Sequence, residues 1–342
     1  MPMNATRLRM SNGHLIPFVG FGTTEVATTP AQLEETLNAA LNEGCRHIDT
    51  SFLSGTEHTV GNVVRKRIES GALERKDFFI TTKLPPTAHR FKDVEKCLRE
   101  SLRRLQTDYV DLYLVQLPCP VKKKHGSFEY PQFYSRHSLA EEDTVSLEET
   151  WRGMENVYSL GLAKTIGVCN FSLEQLMNLN AHANVRPHNF QLEMHLHLRQ
   201  HDIVTLCTSL NITVTAFAPL AELSPLDHVD TDDNLLMSLA AKYKRSPAQI
   251  LLRHQIQRGI VVVAQGLSPQ TVHNNVDVLS FEIDDADIQK LNEVEEDDLA
   301  RRHRFDGTSS SSFIRHSGYP FSEILDAFLE QKIYESHNIT KV

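Results

Sequence analysis

The feature that most constrains the fold is a regular alternation of short β-rich runs with longer amphipathic stretches. Most of the segments between the β-rich runs have apolar residues at helical spacing, for example Pro30–Asn42 and Leu147–Leu160. Strands that alternate with helices form parallel sheets, and eight such units predict a closed (β/α)8 TIM barrel, an α/β fold. The eight runs are Phe18–Gly22, His47–Thr50, Phe78–Lys83, Tyr109–Gln116, Lys164–Val168, Phe190–Glu193, Ile212–Phe217 and Ile260–Ala264.

A β-hairpin is expected before the first of these strands. The pair Asn12-Gly13 tolerates positive φ at both central positions of a tight turn and is flanked by strand-like residues. A doubly wound sheet is the alternative fold, and it requires a GxGxxG motif after an early strand. Phe18–Gly22 supplies two glycines and lacks the third, which favours the barrel.

Composition and charge argue against several kinds of partner and location. The 342-residue chain is 40% apolar and carries a net charge of −9, which argues against nucleic acid and anionic membrane as partners. Its five cysteines are scattered and form no CxxC, as is typical of a reducing compartment. No apolar run approaches the length of a membrane span and no leader is evident, so the cytoplasm is the expected location.

Two segments interrupt the alternation. Residues 119–146 form a long loop after the fourth strand, which places them on the face where barrel enzymes build their sites. Its lysines are expected to be solvated, and its aromatics either line an apolar pocket or tether the loop: Phe128, Tyr130, Phe133 and Tyr134. The barrel is expected to span residues 7–321, with a C-terminal extension at 322–342.

Three strand ends carry the chemistry. Asp49 ends the second strand, Lys83 the third and Gln116 the fourth, and Ser54 lies five residues after Asp49. These segments resemble the aldo-keto reductases, whose tetrad is Asp, Tyr, Lys and His at these strand ends. Ser54 stands at the Tyr position and Gln116 at the His position. Further similarity lies in Asn12-Gly13, Gly22-Thr23, Asp111–Leu114, Gly161–Phe171, Gln191 and Ala216–Leu220.

The resemblance implies NAD(P)H-dependent reduction of aldehydes and ketones to alcohols. In that chemistry a tyrosine protonates the developing oxyanion, a Lys–Asp pair lowers the tyrosine pKa, and a histidine orients the carbonyl. A serine hydroxyl is a far weaker acid than a phenol near pKa ~10. Gln116 can donate a hydrogen bond but cannot titrate. The alternative role for Asp49 and Lys83 is a buried structural ion pair.

The resemblance also implies a site for NADP(H), at Thr23, Cys169, Asn170, Gln191, Phe217, Gln265 and Asn275. Asn170 and Gln191 stand where the family holds the carboxamide, and Phe217 where an aromatic ring stacks on the nicotinamide. Gln265 and Thr271 replace the Lys and Arg that clamp the 2′-phosphate of NADPH. Loss of two charge-assisted bonds at ~1.5–3 kcal/mol each predicts loss of NADPH preference, so that NADH or no dinucleotide binds.

Other patterns are weaker. His195 and His197 share one strand face, but no third ligand is set by spacing, so no metal is predicted. Thr56-Glu57 is interpreted as the cap of the following helix.

Three hypotheses result. The first is a catalytically impaired aldo-keto reductase-like barrel that binds a small carbonyl compound or other small apolar ligand. The second is a weak oxidoreductase that prefers NADH and uses water or Lys83 as proton donor. The third is a regulatory subunit, whose protein partner the sequence does not identify.

Overall fold

The computed structural model describes residues 6–23, 29–123, 126–129, 141–220, 233–266, 268–301, 313 and 316–322. Eight parallel strands close into a barrel in the order β10-β3-β4-β5-β6-β7-β8-β9, which confirms the predicted TIM barrel. Each strand matches its predicted range to within one residue at either end. The strands are β3 Val19–Gly22, β4 His47–Asp49, β5 Phe79–Leu84, β6 Val110–Val115, β7 Ala163–Cys169, β8 Asn189–Glu193, β9 Thr213–Phe217 and β10 Val261–Ala264.

Helices surround the barrel and bury their apolar faces against it. Serine side chains cap several of them; Ser146, Ser172 and Ser246 each accept the N–H three residues later. Such a cap contributes about 1 kcal/mol to helix stability. The helices are α1 Pro30–Asn42, α2 Glu57–Glu69, α3 Phe91–Leu105, α4 Leu147–Ser159, α5 Leu173–His182, α6 His201–Ser209, α7 Asp233–Tyr243, α8 Pro247–Gln257, α9 Pro269–Val276 and α10 Asp285–Asn292. No helix of the described residues is long and apolar enough to cross a membrane.

An antiparallel hairpin closes the amino-terminal end of the barrel. Its strands are β1 Arg7–Arg9 and β2 Leu15–Pro17. Met10 and Ile16 pack into the same apolar cluster as the inward residues Leu112 and Val261. The expectation of positive φ at both turn positions was wrong. Gly13 alone has it, at +90°, because the loop is five residues long. The loop is closed by hydrogen bonds from Met10 N–H to His14 O and from Gly13 N–H to Met10 O.

The loop after β6 is held by several contacts in its described part. The Phe128 ring packs edge-on against Phe52, with centroids 6.4 Å apart, and its carbonyl oxygen accepts a hydrogen bond from Thr87. Lys123 pairs with the buried Asp93 at 2.7 Å, so this lysine is not simply solvated. Phe128 therefore acts as a tether. Lys124, Tyr130, Phe133, Tyr134, Ser309–Ser312 and 323–342 lie outside the described residues.

A buried carboxylate lies behind the barrel wall at the start of α2. Glu57 is 1% exposed, accepts a hydrogen bond of 2.7 Å from Thr82, and lies 3.9 Å from Arg104. Burial raises the pKa of Glu57 above its ordinary value, partly opposed by the hydrogen bond from Thr82 and the charge of Arg104. Its interpretation as a helix cap was wrong, because Thr56 makes no capping hydrogen bond and Glu57 faces the protein interior.

Replacing this carboxylate should change how stability depends on pH. A raised pKa means that the folded state binds more protons than the unfolded state between about pH 4.3 and the folded value, so stability falls as pH rises through that window. Glu57→Gln does not titrate. We therefore measure the free energy of unfolding of Glu57→Gln and of the unmodified protein in urea, at about pH 4 and at about pH 7. The difference between the two proteins should shift in favour of Glu57→Gln at the higher pH.

A control of opposite sign is available on α4. Hydrogen bonds from its own backbone N–H and from Ser146 lower the pKa of Glu148. Glu148→Gln should therefore lose stability relative to the unmodified protein as pH rises from the folded pKa of Glu148 to the unfolded value of about 4.3, a window below that of Glu57. An unchanged stability difference for Glu57→Gln at the two pH values would contradict the assignment of Glu57 as a buried, desolvated acid.

Candidate active site at the barrel mouth

The centre of the site is a buried ion pair between adjacent strands. Asp49 ends β4 and Lys83 lies near the end of β5, and they are 3% and 5% exposed. Lys83 Nζ donates to Asp49 Oδ1 and to the carbonyl oxygen of Thr50, the latter at 3.0 Å. Gln191 Nε2, from β8, donates to the other carboxylate oxygen at 2.7 Å. Both oxygens of Asp49 are therefore bonded, as a buried carboxylate requires.

Ser54 lies beside this pair but belongs to a separate network. It ends a short 3-10 helix, Phe52–Ser54, before Gly55 at φ +68°. Its hydroxyl donates to the Ser51 carbonyl oxygen at 2.6 Å and lies 2.7 Å from Thr56 Oγ1 and 3.3 Å from Thr50 Oγ1. No hydrogen bond joins Ser54 to Lys83. The sequence had identified position 54 but not its two threonine partners, because only the folded loop brings them together.

Thr23 completes what we call the hydroxyl cluster, formed by Thr23, Thr50, Ser54 and Thr56. Thr23 Oγ1 lies 2.9 Å from Thr56 Oγ1, and Thr50 Oγ1 lies at the same distance from Thr56. The N–H and hydroxyl of Thr23 also lie 2.9 and 3.2 Å from the Asp49 carbonyl oxygen. Thr23, predicted to contact cofactor, thus stabilises the end of β4.

The backbone of Gln116 makes two hydrogen bonds, whereas its side-chain oxygen makes none with the described residues. Its N–H donates to Leu84 O at 3.1 Å, and its carbonyl oxygen accepts from Asn170 Nδ2 at 3.1 Å. Its side-chain Oε1 is buried and accepts no hydrogen bond from the residues described. Gln116 directly follows β6, the strand that pairs with the strand of Lys83.

The residues predicted to hold a nicotinamide lie at the ends of β7, β8 and β9. Asn170 adopts φ +58° and Ala218 φ +48°, left-handed conformations that cost free energy outside glycine. Cys169 Sγ lies 3.2 Å from Asn170 Nδ2, and burial raises the pKa of this thiol to about 12. Cys169 is therefore a neutral neighbour of Asn170. Phe217 is half-buried on the adjacent strand β9.

The opposite end of the predicted dinucleotide site lies at β10 and α9. Asn275 Nδ2 donates to Gln265 O at 2.8 Å, whereas its Oδ1 is buried and has no donor among the described residues. An amino group such as that of adenine would satisfy this oxygen. Thr271 is exposed, and its hydroxyl lies 3.0 Å from that of Ser268. Gln265 and Thr271 are both neutral, so neither supplies a cation to a 2′-phosphate.

Histidines near the end of β8 do not assemble a metal site in the structure. His195 Nε2 lies 3.6 Å from Glu193 Oε1, and both side chains are buried. Within the described ranges, no three His, Cys, Asp or Glu side chains are grouped to hold a metal ion.

Comparison with known proteins decides the family. The model of the Aldo/keto reductase family matches residues 19–296, more than half of the chain. The chain belongs to the aldo/keto reductase family. Among its relatives, the mouse estradiol 17 beta-dehydrogenase 5 is 36% identical over 92% of this chain and 97% of its own length. The rabbit prostaglandin-E(2) 9-reductase is also 36% identical, over 93% and 98%.

Solved structures of aldo-keto reductases have the same fold as this chain. An aldo-keto reductase complexed with NADPH matches with a TM-score of 0.82 and 32% identity over 93% of this chain and 94% of that one. An aldose reductase from Schistosoma japonicum gives the same TM-score at 31% identity, over 93% and 99%. Membership supports aldo-keto reductase-type oxidoreductase chemistry as the coarse assignment for this chain.

Proposed function

We propose that this aldo/keto reductase barrel is impaired in carbonyl reduction and binds a small apolar ligand at its mouth. The observation that supports the proposal is the set of hydrogen bonds made by the Ser54 hydroxyl. Its hydroxyl is engaged by Ser51 and the hydroxyl cluster, and Lys83 is bonded to Asp49 and the Thr50 carbonyl oxygen instead. Among the residues that the structure describes, the Lys–Asp pair therefore has no acidic hydroxyl to act on.

Reduction of a carbonyl needs a proton as well as a hydride. A bound nicotinamide supplies the hydride, and Asn170, Gln191 and Phe217 are the residues that would hold its ring. A positioned acid contributes about 10²- to 10⁴-fold to the rate. The Ser54 hydroxyl is too weak an acid for this role, and the Gln116 amide does not titrate. Without an acid, this chain is expected to bind carbonyl compounds without efficient turnover.

Turnover and binding should be measured separately. We expect the unmodified protein to reduce para-nitrobenzaldehyde at a rate about 10²- to 10⁴-fold below an active relative, followed by NADPH and by NADH absorbance. Ligand-detected NMR with acetophenone tests binding in the same preparation. NADPH consumption at the rate of the active relative would overturn the proposal, and so would absence of binding.

A second candidate, a weak oxidoreductase that prefers NADH, is favoured by two observations. The Asp49–Lys83 pair is intact and buried, and water or Lys83 itself would then donate the proton. The buried Asn275 Oδ1 without a donor suits an adenine amino group. A regulatory role through a protein partner stays a prediction, and so does location in the cytoplasm.

Cofactor choice gives a direct prediction. We expect Kd values for NADH and NADPH to agree within about 10-fold, because Gln265 and Thr271 are neutral and give the 2′-phosphate no charge-assisted hydrogen bond. Gln265→Lys with Thr271→Arg should tighten NADPH by about 10²- to 10⁴-fold and leave NADH nearly unchanged. Cofactor fluorescence is the suitable readout, since Trp151 is buried and bonded to Val185 O at 2.9 Å.

Gln265→Met with Thr271→Val is the matched control, which changes the same positions without adding charge. Tight NADPH binding by the unmodified protein, or equal gains for both dinucleotides in the Lys/Arg variant, would contradict the loss of the phosphate clamp.

A further inference from the structure

Two polar groups at the barrel mouth have hydrogen-bonding capacity that the described part of the chain leaves unused. An ammonium group has three N–H donors. Lys83 gives one to Asp49 and one to the Thr50 carbonyl oxygen, and no described residue accepts the third. Gln116 Oε1 is a buried acceptor with no donor among the described residues. The mouth therefore offers one unused donor and one unused acceptor.

Lys83 lies on β5 and Gln116 directly follows the neighbouring strand β6, and the register turns both side chains to the same side of the sheet. Lys83 pairs with Leu114 in the β5–β6 register, and Gln116 follows Leu114 by two residues. Because side chains alternate along a strand, Gln116 points to the same side as Leu114, and therefore to the same side as Lys83. The N–H of Gln116 continues the ladder to Leu84 O, so the alternation extends to this residue.

A hydroxyl group matches this pair, because its oxygen accepts one hydrogen bond and its proton makes another. A ketone oxygen accepts only. It would satisfy Lys83 and leave Gln116 Oε1 buried without a donor, which is costly. Sites that hydrogen-bond a ligand hydroxyl discriminate strongly against an analogue that lacks it.

We propose that the barrel mouth binds the hydroxyl group of a small apolar alcohol in preference to the corresponding carbonyl compound, with Lys83 as donor and Gln116 as acceptor. This inference rests on the proposed ligand-binding function and specifies its ligand class. Gln116 is the specificity-determining residue, because a histidine at this position can present an N–H donor where Gln116 presents its oxygen. No covalent step is involved.

Three probes with one carbon skeleton test the inference: acetophenone, the alcohol formed by its reduction, and the methyl ether of that alcohol. The ether accepts a hydrogen bond but cannot donate one. Titration of the full chain without nucleotide, followed by ligand-detected NMR, should give a Kd for the alcohol about 10-fold below those of the ketone and the ether. Equal affinity for alcohol and ketone would overturn the inference, as would tighter binding of the ketone.

Two variants assign the preference to Gln116. Gln116→Met keeps the length of the side chain and removes its acceptor, so the advantage of the alcohol over the ether should disappear. Gln116→His should shift the preference toward the ketone. Circular dichroism and thermal melting check that both variants fold. Persistence of the alcohol preference in Gln116→Met would refute the role of Gln116.

Failure of this inference is distinguishable from failure of the proposed function. If all three probes bind equally and no dinucleotide is oxidised, the barrel binds ligands without the predicted selectivity, and only the inference fails. If acetophenone is reduced at the rate of an active relative, the proposed impairment fails, whatever the order of affinities. If none of the probes binds, both fail.

Discussion

Ser54→Tyr combined with Gln116→His, Gln265→Lys and Thr271→Arg is expected to raise NADPH-dependent reduction of para-nitrobenzaldehyde by about 10²- to 10⁴-fold. The first two changes supply the acid and the orienting group beside an Asp49–Lys83 pair that is already in place. The last two supply the cations for the 2′-phosphate. At low NADPH concentration, Ser54→Tyr with Gln116→His alone should restore little, because groups that act as a unit are not additive.

Ser54→Phe in the same triple background is the matched control. It adds the ring without the phenol, so it should disturb the hydroxyl cluster to the same degree and restore no activity. The steady-state rate at low and at saturating NADPH separates the two deficits. If Ser54→Tyr with Gln116→His already equals the quadruple variant at low NADPH, the phosphate-clamp argument is wrong. If the Phe control is equally active, the missing acid is not the cause of impairment.

Asp49→Asn is expected to destabilise the fold by about 3–5 kcal/mol. The side chains of Lys83 and Asp49 are 7% and 5% exposed, which rules out the smaller cost expected of a surface pair. The substitution replaces the carboxylate by a neutral amide, so the Lys83 ammonium stays buried without its counter-ion and is bonded to neutral oxygens such as that of Thr50. The new amide group would also face Gln191 Nε2, which is itself a donor. Urea unfolding followed by circular dichroism measures the change in free energy of unfolding.

A double-mutant cycle separates structure from chemistry at this pair. Asp49→Asn, Lys83→Met and the double variant should show a coupling energy of a few kcal/mol, with the double variant more stable than Asp49→Asn alone. Lys66→Met serves as the surface control, since its pair with Glu34 is exposed and should contribute less than about 1 kcal/mol. A coupling energy near zero, together with loss of residual turnover, would reject the structural role and favour the weak oxidoreductase.

The two deficits that we propose differ in kind. The proposed deficit at the mouth is the loss of proton donation at Ser54 and Gln116, beside an Asp49–Lys83 pair that is intact. The proposed deficit at α9 is a weaker affinity for a 2′-phosphate, at neutral residues near a buried Asn275 oxygen that suits an adenine amino group.

The sequence by itself determined the barrel. Hydrophobic runs of strand length, repeated eight times between helical stretches, allow few ways to bury both faces of a parallel sheet, and the strand ends were correct to within one residue. It also determined that Asp49, Lys83 and Gln116 meet at one rim, because the carboxyl ends of parallel strands share one face.

Only the tertiary structure decided how those side chains are bonded. The partners of Ser54 come from residues 51, 50 and 56, and Thr23 joins from another strand. The partner of Asp49 on β8 is 142 residues away. Glu57 appeared to be a helix cap and proved to be a buried acid. Local patterns report burial and periodicity, whereas hydrogen-bond partners depend on distances between strands that are remote in sequence.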